Sequence, residues 1–293
     1  MRIDAHHHLW DLNVRPQDWI TGEALAPINR SFAMPDLEHV TIATGVGATV
    51  LVQTVTVAEE TPELLAIAEE AEIVAGVVGW TDLTAPDVAA ELARLGQGKG
   101  GRWLRGIRHQ VQGEPDPRWL CRDDVREGLA AVADAGLVYD LLVLPGQLPA
   151  AVETARELPQ LAFVLDHCAK PPVASGELEP WAADLRALAA LPNVSCKLSG
   201  LVTEADWAQW TVADLRPYAE VVLEAFGPER VMFGSDWPVC TLAASYADVV
   251  AAAEELTGRL SEPERFEVFG RTAHRVYGLE LSAAMVPKGG LDA

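Results

Sequence analysis

The sequence predicts a closed (β/α)8 TIM barrel, and three observations carry that prediction. Eight short apolar runs alternate with helical stretches along almost the whole chain of 293 residues. The runs are near-continuously apolar, as strands are when both faces of a parallel sheet are covered. No linker or change of composition interrupts the series, and eight β/α units in ~250 residues is the size of this architecture. The competing arrangement is an open, doubly wound sheet. Residues 1–281 read as one barrel domain and 282–293 as a loose tail.

The first strand is the stretch Ile3-Asp4-Ala5-His6-His7-His8-Leu9-Trp10. Side chains alternate along a strand, so His6 and His8 share a face and His7 takes the other. Residues 11–35 form a loop long enough to suggest function. A short helix at 36–44 leads to strand two at 49–53. Thr61 reads as the cap, and Pro62 as the first residue, of a helix running to about 71. Strand three covers 73–80, and Thr84-Ala85-Pro86 opens a helix that ends in the glycines of 96–101. Those glycines match G-x-G-x-x-G, yet the dinucleotide fingerprint must leave a strand and open a helix. Here the stretch leaves a helix and precedes a strand. It is read as a connector, and no nucleotide cofactor is expected.

Strand four spans 104–111 and is followed by a helix at 123–135. Strand five (137–144), a helix (148–157) and strand six (161–166) continue the series. After a helix at 178–190 come strand seven (194–199), a helical region to 226, strand eight (230–234) and a helix at 242–256. A terminal helix within 261–279 is expected to pack on the outside.

Composition narrows the partners. The formal charge of −21 argues against nucleic acid, whose affinity comes mainly from clustered Lys and Arg. It also disfavours anionic substrates and suits a neutral small molecule. No apolar run approaches bilayer-spanning length, so no membrane partner is expected. The N-terminus has one Arg and no secretory pattern, so a cytoplasmic location is expected. Cys121, Cys168, Cys196 and Cys240 lack metal-finger spacing and read as small buried hydrophobes. A homo-oligomer remains open.

A barrel gathers its strand ends at one mouth. His6 and His8 end strand one, Arg108 and His109 strand four, and Tyr139 and Asp140 lie on strand five. His167 follows strand six, Lys197 lies on strand seven, and Ser235-Asp236-Trp237-Pro238 follows strand eight. Three histidines and an aspartate at such positions can hold a divalent ion or serve as an acid–base set. Each residue also has a plainer reading. His167 can be a hydrogen-bonded structural imidazole, and Asp236 can cap the turn after strand eight. Arg108 and Lys197 can form a buried ionic network with Asp140, while His109 and Tyr139 can be barrel packing. Trp10, Trp19 and Trp237 can face a sugar ring or simply pack. No G-x-S-x-G elbow occurs.

These stretches, with Gly106-Ile107-Arg108-His109, Leu165-Asp166-His167-Cys168-Ala169-Lys170-Pro171 and Phe233-Gly234-Ser235-Asp236-Trp237-Pro238, resemble the amidohydrolase superfamily, in particular its sugar-lactonase branch. The resemblance implies a TIM barrel that hydrolyses an aldonolactone of the L-fucono- or L-rhamnono-lactone kind. It implies a metal set of His6, His8, His167 and Asp236, with Asp236 as general base and His167 as its catalytic partner. Substrate would be held by Trp10, Arg30, Arg108, His109, Tyr139, Lys197 and Trp237. Binuclear relatives use a Lys or Glu on strand four and a His on strand five. This chain has Arg108-His109 and Tyr139-Asp140 there, so at most one divalent ion, zinc, is expected, and it can be dispensable. Lactone isomerisation, decarboxylation, pyrone or dicarboxylate lactone hydrolysis, and a silent sugar-binding barrel are the alternatives on this scaffold.

Overall fold

A computed structural model of the chain describes residues 1–281, and the expected tail at 282–293 lies outside them. Eight parallel strands form one sheet in sequential order. They are β1 (Arg2–His7), β2 (Val46–Val52), β3 (Val74–Gly79), β4 (Leu104–His109), β5 (Val138–Leu141), β6 (Phe163–Leu165), β7 (Val194–Leu198) and β8 (Val231–Phe233). The helices that follow them in turn are α1 (Met34–Thr44), α2 (Glu60–Glu70), α3 (Val88–Gln97), α4 (Asp123–Asp134), α5 (Leu148–Glu157), α6 (Trp181–Ala189), α7 (Val212–Phe226) and α8 (Tyr246–Leu256). The last strand's end returns to the first. The His8 amide donates to the Trp237 carbonyl at 2.7 Å, and the Asp236 amide donates to the His6 carbonyl at 2.8 Å. This closure completes the expected barrel and sets Asp236 beside the histidines of β1.

Most expected elements recur with shorter strands, because loops take over once the ladder ends. Thr61 departs from its expected capping role. It lies inside α2, and its hydroxyl donates to the Trp80 carbonyl at 2.8 Å while accepting the Trp80 amide at 2.7 Å. A cap residue is in effect used to fasten the end of β3. The glycine stretch does leave α3 and enter β4 through a tight turn. Among the described residues, no helix is long and apolar enough to cross a membrane.

The barrel interior is layered. Its floor is apolar, with Ile3, Ala5, Val50, Val78, Val138, Val164 and Met232 in one cluster. Ala273, Tyr277 and Leu279 belong to the same cluster. The terminal segment, α9 (Glu262–Phe266), a π turn (Glu267–Arg271) and α10 (Thr272–Tyr277), therefore plugs the bottom of the barrel. The expectation of a helix packed on the outside is corrected. Small residues such as Ala5, Ala48 and Ala75 leave room on the floor, and α10 fills it. Above the floor the inward positions become polar. The register of β1 on β2 slips between Asp4 and His7, so Ala5 and then His6 both reach the interior.

Candidate active site

Three strand ends build the site. On β1, His6 and His8 approach each other, Nε2 to Nε2 at 3.2 Å, while His7 turns away to bond Thr49 Oγ1 at 2.9 Å. After β6 the chain enters an unusual turn. His167, Cys168, Ala169 and Lys170 all have φ between 50° and 57°, a left-handed run without glycine. The turn projects His167 inward, and its Nδ1 lies 2.9 Å from Ser199 Oγ. After β8, Asp236 also has a left-handed φ of 57°. Buried Asp4 fixes this loop: its carboxylate accepts the Ser235 amide at 2.8 Å, the Ser235 hydroxyl at 2.6 Å and the Tyr246 hydroxyl at 2.9 Å.

Asp236 Oδ1 thereby lies 3.4 Å from His8 Nε2 and 3.8 Å from both His6 Nε2 and His167 Nε2. Burial pushes the Asp236 carboxyl up. The attraction of His167, contact with His8 and the charge of Lys170 outweigh it, so the carboxyl sits below its ordinary value. Burial lowers His167 to about 4, against the pull of Asp236, and it drives His6 well below its ordinary value with Lys197 adding to the effect.

Beneath this ring lies a buried ionic layer. Lys197 Nζ contacts Asp140 at 2.5 Å and Asp166 at 2.9 Å, and Arg108 Nη1 contacts Asp166 at 2.9 Å. Burial raises Asp140 to about 6 despite Lys197, whereas Asp166 stays well below the carboxylate range because Lys197 and His6 overcome its burial. Tyr277 closes the layer from below by donating to Asp140 at 2.9 Å. His6 Nδ1 faces Lys197 Nζ at 3.0 Å and Asp166 Oδ1 at 3.3 Å, so its ring has a partner in either neutral tautomer.

A cavity of about 150 Å3 opens above the ring, lined by His8, Trp19, Thr54, Arg108, Gln110, Gln112, Leu142, His167, Lys170, Asp236 and Val239. Of the residues expected to hold substrate, Arg108 lines it. Lys197 is sealed beneath His6. Trp10 and Trp237 pack edge-on to Phe32, and Trp10 also packs against Trp19, the tryptophan that lines the cavity. Arg30 is exposed, with its guanidinium 3.7 Å from the Phe32 ring centroid. His109 stacks on Trp119 and bonds Glu114, and Tyr139 packs edge-on to Phe163; both point away from the barrel interior. Sequence reasoning did not single out Asp166, Asp4, Thr54, Gln110 or Gln112.

The family model described as amidohydrolase matches residues 3–279. The chain belongs to this amidohydrolase family. It is 43% identical over 291 residues to an L-fucono-1,5-lactonase of Burkholderia multivorans, covering 95% of this chain and 96% of that protein. A second L-fucono-1,5-lactonase, from Burkholderia ambifaria, is 39% identical over 283 residues, with the same coverage. Among solved structures, an amidohydrolase from Burkholderia multivorans with bound zinc superposes with a TM-score of 0.89. It is 41% identical, and the match covers 96% of this chain and all of that one.

The donor set of this amidohydrolase fits one cation. Ligand atoms of His6, His167 and Asp236 all lie within 4.8 Å of one another. His8 Nδ1 bonds the Val52 carbonyl at 2.8 Å and must donate there, so Nε2 of the neutral ring is an acceptor. That acceptor faces another, Asp236 Oδ1, and a proton or metal ion between them removes the repulsion. His8 and His167 are each oriented through their other ring nitrogen, as metal-binding histidines are. In the middle strands Arg108 and Lys197 occupy the interior and pair with the buried carboxylates Asp166 and Asp140.

Proposed function

We propose that this enzyme opens the lactone of a neutral monomeric sugar acid, in the class of L-fucono-1,5-lactone, with Asp236 as general base. The observation that carries the reading is Asp236 itself. It is a buried carboxylate held below its ordinary value, facing a cavity at the mouth of the barrel. The two L-fucono-1,5-lactonase relatives at 43% and 39% identity support the substrate class. The cavity is smaller than the roughly 300–1,000 Å3 typical of drug-sized ligands and suits a single ring.

Hydrolysis begins when water attacks the carbonyl carbon and Asp236 takes its proton. Negative charge then gathers on the carbonyl oxygen, and the guanidinium of Arg108, lining the same cavity, stabilises it. Collapse breaks the ring C–O bond, and the proton held by Asp236 passes to the departing alkoxide. His167, lowered by burial and so neutral at physiological pH, is fixed by Ser199 through Nδ1 and turns Nε2 toward Asp236 at 3.8 Å. Lys197 does not reach substrate; it holds His6 and Asp166 in place. His6, His8, His167 and Asp236 would together hold one divalent ion, which when bound supplies Lewis acidity. The zinc in the Burkholderia multivorans structure supports zinc as that ion.

Asp236→Asn should cut kcat on a responsive lactone by ~10²–10⁴-fold while leaving the circular dichroism spectrum unchanged. The screen uses a pH indicator, hexono- and pentono-lactones, and paired wells with and without chelator. Activity on an aromatic or dicarboxylate substrate, with no sugar lactone turned over, would sink the reading. Metal analysis should return no more than one equivalent per chain; two equivalents, both needed for turnover, would refute the single-ion site.

A further inference from the structure

The wall of the mouth cavity is mostly polar, and its apolar members are Trp19, Leu142 and Val239. Trp19 stands on the loop between β1 and α1 and is 36% exposed. A lone exposed hydrophobe means little by itself. Trp19 differs because the protein fixes its ring. The indole N–H donates to Gln17 Oε1 at 2.8 Å, and Gln17 is buried. Trp10 meets the indole nearly at right angles, with centroids 5.8 Å apart and an interplanar angle of 86°, so it covers at most one face. The loop is anchored in turn, because its 3₁₀ segment Glu23–Ile28 packs on the turn Val239–Leu242 that follows Asp236. With its polar atom already engaged, Trp19 offers the cavity an ordered aromatic surface that solvent reaches.

We propose that the sugar ring of the lactone lies on the indole of Trp19, C–H face against aromatic face. The inference rests on the lactone-hydrolase reading and adds to it the group that recognises the ring. A sugar lactone has two kinds of surface, a rim of hydroxyls and faces where C–H bonds gather. The polar part of the wall suits the rim, and Trp19 suits a face. Trp19 and Asp236 line the same cavity, so a ring held on the indole stays beside the general base. No charge develops on the C–H face during hydrolysis, so the contact holds substrate and transition state alike and acts on KM rather than kcat. An epimer that turns a hydroxyl onto the stacked face strips it of water without giving it a partner. Trp19 thereby selects among epimers as well.

The test measures kcat and KM on L-fucono-1,5-lactone for wild type, Trp19→Phe, Trp19→Leu and Trp19→Ala. Trp19→Ala should raise KM on the order of tenfold and change kcat little. Trp19→Phe, which keeps a flat ring, should retain most of the affinity, whereas Trp19→Leu, apolar but not flat, should lose it. If Trp19→Ala does not fold, the contrast between Phe and Leu carries the comparison. Leu matching Phe, or a fall in kcat at unchanged KM, overturns the inference and leaves the hydrolase reading intact. A second readout needs no turnover: L-fucose keeps the pyranose ring but has no ester carbonyl to attack. Its binding should change the tryptophan fluorescence of wild type and not that of Trp19→Phe, and a change that persists in Trp19→Phe overturns the platform. A wild type that turns over no lactone, yet responds to L-fucose through Trp19, overturns the hydrolase reading alone.

Discussion

At the scale of single residues the site depends on close approach. Gly234 follows β8, and a Cβ added there would lie 2.8 Å from His6 Cβ and 3.2 Å from Ser199 Cβ. Neither neighbour is a flexible chain end, so His6 would have to move. Overpacking of this kind costs about 1–3 kcal/mol, and a displacement of catalytic groups approaching 1 Å costs up to ~10²-fold in rate. Gly234→Ala should therefore lower kcat/KM by tenfold or more while only modestly lowering the melting temperature; unchanged kcat/KM would show that His6 need not be held so closely. The pairing of His6 with His8 was legible because alternation fixes it. Asp166 was not, because strand six reads as a continuous apolar run with no alternation to say which side faces in. Gln112 lies beyond its strand in a 3₁₀ turn, where no period sets a direction.

At the scale of elements the left-handed turn after β6 is the most demanding local structure. A left-handed conformation costs a non-glycine residue roughly 1–2 kcal/mol, and four successive residues bear it. Nothing in Asp166-His167-Cys168-Ala169-Lys170 announces it, since glycine, the usual sign, is missing. Packing holds the turn: Cys168 and Ala169 are fully buried, and Trp181 Nε1 donates to the Cys168 carbonyl at 2.7 Å. Relief by glycine depends on what is lost with the side chain. At Ala169 a buried methyl worth about 0.8 kcal/mol offsets much of the gain. Lys170 is partly exposed and loses little packing. Lys170→Gly should gain about 1–2 kcal/mol of backbone relief, less about 0.4–1 kcal/mol for the freer unfolded chain. A net stabilisation of up to about 1 kcal/mol is expected from urea unfolding, and a destabilised variant would mean that the Lys170 side chain contributes more than its exposure suggests.

At the scale of the whole molecule, the alternation of eight strands and helices made the barrel legible, because the apolar runs were continuous and regularly spaced. The plug of its floor by α10 was not, because a short amphipathic segment carries no sign of which cavity it enters. The polar interior above that floor gives the fold its pH dependence. His6, His7 and His167 are all shifted downward by burial, His7 to about 3 and His167 to about 4. His7 Nδ1 has no partner, so a proton there gains nothing in the folded state. Below about pH 6.5 the unfolded chain binds protons at these three positions while the folded chain does not, so stability falls as pH falls, by about 1.4 kcal/mol per pH unit for each. Asp140, raised to about 6, works the other way, because the folded state takes its proton first. Asp4, Glu60 and Glu204, also raised by burial, act in the same opposing sense. The net loss should be about 1–3 kcal/mol per pH unit between pH 6.5 and 5, a large fraction of the 5–15 kcal/mol typical of a folded domain. Urea midpoints of metal-free protein, measured in chelator at pH 7 and pH 5, should therefore differ strongly. His7→Asn, less stable at pH 7, should lose less on acidification than wild type, because one of the three shifted imidazoles is gone. Equal midpoints at the two pH values would mean that the buried histidines take up protons in the folded state, and a slope unchanged by His7→Asn would remove His7 from the account.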